Sequence, residues 1–122
     1  MKSKSSAIVL TGIMALFSGS VFAASMPGEI FQPRGAEVVK ADRQGGGEFE
    51  AEFRLRGNDV RGLARQVRNH AERHGFKVVE SEVKRDDADL KFKRRNQELD
   101  VSIETKDHGV IEYKADLDLD KN

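Results

Sequence analysis

Glu48-Phe49-Glu50-Ala51-Glu52-Phe53-Arg54-Leu55-Arg56 alternates charged and apolar side chains at every step. Side chains on a strand point to opposite faces with a period of two, so this stretch reads as a strand with one buried and one solvated face. Gly57-Asn58-Asp59 follows, with Asn58 or Asp59 available as a helix N-cap. Beyond it, Val60, Leu63, Ala64, Val67, Ala71 and His74 recur at helical spacing, and Gly75 supplies a stop. A half-buried strand followed by an amphipathic helix sets the theme of the domain.

Working toward the C-terminus, the remaining runs are strand-like. Phe76 to Lys84 is rich in Val, and its alternation slips at Val78-Val79, where a bulge is expected. Asp86-Asp87 reads as a turn. Ala88, Leu90 and Phe92 then alternate with Asp89, Lys91 and Lys93, as Leu99, Val101 and Ile103 do with Glu98, Asp100, Ser102 and Glu104. A tight turn at Asn96-Gln97 would set Phe92 opposite Val101 and Leu90 opposite Ile103. The same register sets Arg95 against Glu98 and Lys93 against Asp100 on the open face. Lys106-Asp107-His108-Gly109 is a further turn, and Ile111, Tyr113, Ala115, Leu117 and Leu119 alternate with charged residues after it. The expected fold is α+β, a two-layer sandwich with one helix on an antiparallel sheet of about five strands in the order β-α-β-β-β-β.

Toward the N-terminus the pattern weakens. Residues 24–47 contain Pro27, Gly28, Pro33, Gly35 and the run Gly45-Gly46-Gly47, and are expected to be a flexible segment and linker, with a short strand around Glu37 to Lys40. Residues 1–23 have the layout of a secretory signal peptide. Lys2 and Lys4 precede an apolar run from Ala7 to Phe17, and Val21-Phe22-Ala23 offers small residues at the −3 and −1 positions of a cleavage site. The apolar run falls short of the roughly 20 residues a membrane-spanning helix needs. The expected organisation is therefore a signal peptide (1–23), a flexible segment (24–47) and one domain (48–122). The mature chain would be exported from a bacterial cytoplasm to the periplasm or beyond, with no integral membrane segment.

The chain has 122 residues, enough for one small domain, and no Cys. That excludes disulfides, thiol catalysis and Cys-ligated metal sites. The 21 basic and 21 acidic residues balance, and losing the two leader lysines leaves a net charge of −2. Charge is unevenly spread: residues 54–74 carry six basic groups against two acidic, and residues 96–122 carry three against eight. Arg61, Arg65 and Arg68 fall on one exposed helix side, and with Lys91, Lys93 and Arg95 they form a candidate cationic face for phosphate-rich or acidic partners. Solvated side chains and cross-strand ion pairs are the simpler account of the same residues. Nucleic acid is disfavoured by export, by the net charge and by Phe residues that alternate inward.

His70 and His74 stand at i, i+4 on the helix, a spacing two imidazoles can use to chelate Zn²⁺, Ni²⁺ or Cu²⁺. Ala71 follows His70 where an HExxH site needs Glu, and no third ligand is identifiable, so a structural role is the simpler reading. Asp116, Asp118 and Asp120 are explained by strand alternation rather than by a calcium loop, which needs Gly and Glu further on. Ser25, Ser81, Ser102 and Thr105 are the only Ser and Thr residues of the mature chain, and none lies in a nucleophile-elbow sequence. No Gly-rich phosphate loop precedes a helix. The protein is expected to be non-enzymatic and to need no cofactor.

The join Gly75-Phe76-Lys77-Val78, leading from a helix into consecutive antiparallel strands, resembles small exported PepSY-like domains over roughly Asp59 to Leu117. That resemblance implies regulation of peptidases, as in some members of that family. The chain departs from it in its extra leading strand and in lacking a D-P-x-T-G-like ending, and no functional residue carries over. The leading expectation is an exported binding or regulatory domain acting on a protein partner. A binder of anionic envelope material and a His-based metal binder are the alternatives, and homodimerisation through an edge strand is a further expectation.

Overall fold

The computed structural model describes residues 26–43 and 47–119. The signal-peptide reading, the tip of the Gly-rich run (Gly45, Gly46) and Asp120 lie outside them. In chain order the elements are β1 (Glu37–Arg43), β2 (Phe49–Arg56), α1 (Val60–Arg73), β3 (Lys77–Val83), β4 (Asp87–Arg94), β5 (Gln97–Lys106) and β6 (Val110–Leu119). The strands form one antiparallel sheet in the order β1-β2-β6-β5-β4-β3. Helix α1 lies on one face of it, so the α+β two-layer expectation holds.

The sheet has six strands rather than about five. β1 is the addition, and its pairing with β2 extends three residues past the Lys40 limit read from the sequence. Its signal is short because a register shift between Val38 and Lys40 breaks the alternation. β3 shows the same irregularity between Val78 and Glu80, where the sequence placed it. These two are the edge strands, and at each bulge a Val (Val39, Val79) is exposed. Bulges on both edges twist the strand margins and blunt them as templates for another chain.

The β4–β5 hairpin differs from the expected register. Its turn is Arg95-Asn96, which pairs Phe92 with Leu99, Leu90 with Val101, Lys93 with Glu98 and Lys91 with Asp100. Moving a turn by one residue shifts each partner by two, which keeps every apolar residue on the same face. Alternation therefore could not choose between the registers, and the backbone at Arg95 (φ 51°) decides it.

Helix α1 begins where Asp59 Oδ1 accepts from the Gly62 amide at 2.9 Å. It ends with the Phe76 amide donating to the Ala71 carbonyl and the Gly75 amide to Glu72, each at 3.0 Å. Gly75 takes φ 88°, the left-handed conformation that this closure requires. Val60, Leu63, Ala64, Val67 and Ala71 pack inward over the β3–β4–β5 part of the sheet. Residues 26–36, expected to be a flexible lead-in, supply Met26 and Ile30 to the same core. Buried Tyr113 on β6 stacks on Phe53 of β2 at 5.0 Å and donates to the Phe31 carbonyl at 2.9 Å. The helix and this segment together cover the inner face, and the other face stays open.

Candidate functional site

The sheet divides the charged residues singled out from the sequence into separate groups. Arg61, Arg65 and Arg68 are exposed on the outer side of α1. Lys91 and Lys93 alternate with buried Leu90 and Phe92, so they lie on the open face, across the sheet from the helix. Arg95 sits in the hairpin turn at the end of the sheet. One continuous cationic face is therefore not formed.

On the open face, cations and carboxylates interleave. Lys91 Nζ lies 3.4 Å from Glu98, 3.9 Å from Glu80 and 4.0 Å from Asp100. Lys40 meets Glu50 at 2.7 Å, Lys114 meets Glu52 at 3.3 Å, and Lys106 meets Glu104 at 3.2 Å. Pairing across strands for Lys40, Lys91 and Lys114, and along β5 for Lys106 and Glu104, accounts for these lysines. A depression of about 490 Å³ lies between Glu80, Glu82, Asp89, Asp100, Lys114 and Asp116, over the small side chain of Ser102.

Carboxylates concentrate at the centre of this face. Asp116 is directly opposite Glu50 on one side and Asp100 on the other. Burial, and then the charges of Glu50, Asp118 and Asp100, push the Asp116 carboxyl up to about 6. Asp100 and Asp118 are also raised, by burial first and then by neighbouring acids. Glu50 moves the other way because Lys40 hydrogen-bonds it. This cluster was missed at the sequence level. Its members are scattered over β2, β5 and β6, and only the register brings them together.

The helix arginines are different. Arg68 approaches Glu72 at 3.9 Å, and among the described residues Arg61 and Arg65 form no ion pair. They present positive charge that the protein itself does not neutralise.

His70 and His74 stack with ring centroids 4.4 Å apart. The His70 Nε2–H donates to the Gly28 carbonyl at 2.7 Å, and the His74 Nδ1–H donates to the His70 carbonyl at 2.9 Å. Each imidazole thus holds a backbone carbonyl, and His70 also packs against Phe31 at 5.5 Å. No group of three or more potential metal ligands occurs among the described residues. Next to the histidines, Arg94 donates to the His74 carbonyl at 2.6 Å, to Glu29 at 2.9 Å and to Gln97, with its guanidinium 4.5 Å over the Phe76 ring. Burial would raise the Glu29 carboxyl, but the Arg94 hydrogen bond and charge override it and hold it below the usual range.

Among the described residues no charged side chain is buried, the Tyr113 hydroxyl being the polar group held in the core, and no helix is long and apolar enough to cross a membrane. Comparison with protein-family models and with curated proteins finds no match. The resemblance to PepSY-like domains rests on topology and the Gly75–Val78 join alone.

Proposed function

We propose that this is a small exported, non-enzymatic binding or regulatory protein that acts on a protein partner in the bacterial envelope or outside the cell. One contrast carries the reading. Lys40, Lys91, Lys106 and Lys114 of the sheet each have a carboxylate within 4 Å, whereas Arg61 and Arg65, one turn apart on the exposed helix side, have none among the described residues. Unneutralised arginines on a rigid helix suit an acidic protein surface, because each planar fork can take a carboxylate bidentately.

The test is a pull-down from native envelope extract with the tagged mature chain at low and high salt, alongside Arg61→Glu/Arg65→Glu/Arg68→Glu. A specific protein kept by the parent at both salts and lost by the triple variant is the expected result. Recovery of lipid or polysaccharide only at low salt would transfer the helix face to anionic envelope material. Equal recovery by parent and variant would remove this face from the account.

A further inference from the structure

At the opposite corner from the helix N-terminus, the start of β3 meets the β4–β5 hairpin end. The register sets Lys77 directly opposite Lys93. Glu98 stands opposite Lys93 on its other side, so the charge this corner leaves unanswered comes from Lys77 and from Arg95 of the adjoining turn. Gly75, Lys77, Lys93, Arg94, Arg95, Asn96 and Gln97 line a depression of about 750 Å³, and no carboxylate is among these lining residues.

Three features prepare this depression for an anion. Arg94 forms a fixed wall, braced by Glu29, the His74 carbonyl, Gln97 and the Phe76 ring. Its charge is largely answered by Glu29, so it contributes donors and shape more than free charge. Gln97 accepts from Arg94 through Oε1, which leaves its Nε2 hydrogens as the unused donors. Arg95 holds φ 51°, a left-handed conformation in which Asn or Gly is less strained than Arg. An Arg at such a position is best explained by what its side chain does. Among the described residues neither Lys77 nor Arg95 forms an ion pair.

We infer that this depression is a binding site for a phosphate group. The charges of Lys77 and Arg95, with the donors of Gln97 and the braced Arg94 beside them, match a multiply charged tetrahedral oxyanion better than a single carboxylate. The inference does not depend on the helix-face reading, since it uses different residues.

The experiment follows backbone amide shifts of the full mature chain during titration with inorganic phosphate, with chloride at matched ionic strength as reference. A parallel arm measures co-flotation with phosphatidylcholine vesicles containing or lacking phosphatidic acid. Saturable shifts at Lys77, Arg95, Asn96 and Gln97 with phosphate assign a soluble phosphate. Co-flotation only with phosphatidic acid assigns a lipid headgroup. Either should weaken about tenfold or more in Lys77→Gln/Arg95→Asn, the loss expected for charged hydrogen bonds, and should survive Lys106→Gln at the other end of β5. Arg95→Asn relieves the backbone at the turn, so the variant stays folded. Absence of both signals overturns the site, as does binding that the double variant retains.

Discussion

Tyr113 shows how one atom ties together parts of the chain that are far apart in sequence. Its ring is stacked on Phe53, and its hydroxyl, 82 residues away from Phe31, gives that residue's carbonyl a partner. Burial pushes the phenol up from its usual value, so it stays a donor across the working pH range. Tyr113→Phe keeps the stack and removes only this bond. The expected cost is about 1 kcal/mol, which is about 4–8 °C in Tm for a domain of this size. Amide exchange should accelerate selectively over residues 28–36. Uniform acceleration would show that the bond supports the whole fold instead. Nothing in the sequence marks this contact, because Tyr113 occupies an inward position like any other apolar residue of its strand.

At the level of elements, the helix C-terminus is where local and tertiary structure meet. Gly75 closes α1 at φ 88°, and a Cβ there would lie 3.3 Å from Arg94 Cδ. Gly75→Ala is therefore expected to cost about 1–2 kcal/mol from the left-handed backbone, and to push Arg94 off the Phe76 ring. Chemical denaturation measures the first effect. Loss of the depressed Glu29 titration by NMR measures the second. The same region shows what was legible in advance. The Gly75 stop, a cap at Asn58 or Asp59 and the bulge near Val78-Val79 follow from local patterns and are present, the cap being Asp59. The hairpin register was not legible, since two registers that differ by one turn position bury the same Leu90, Phe92, Leu99 and Val101. β1 was only half visible, because its bulge interrupts the alternation after Val38.

For the molecule as a whole, charge is partitioned by side: arginines on the helix, carboxylates gathered across β2, β6 and β5. The helix arginines were readable from i, i+4, i+7 spacing, but their separation from Lys91 and Lys93 needed the sheet between them. The carboxylate cluster was invisible until the strands were aligned. It has a consequence for stability. Asp116, raised to about 6, holds a proton more tightly when folded than unfolded. Folding therefore gains stability as pH falls through about 6, and that gain is complete below the unfolded carboxylate range. Tm should rise between pH 7.5 and 5, and Asp116→Asn should raise Tm at pH 7.5 while flattening that slope. An unchanged slope would place the effect elsewhere in the cluster. One topological feature reaches beyond equilibrium. β2 pairs with β6, the last strand of the sheet, across the whole span of α1, β3, β4 and β5. Until residues 110–119 have been made, β2 and β5 both remain raw margins and the core lacks its middle strand. Closing the β2–β6 pair is thus a late, non-local event, whereas the other four pairings join strands adjacent in sequence. A chain stopped before Val110 would be not a smaller version of this protein but an unsatisfied, aggregation-prone one.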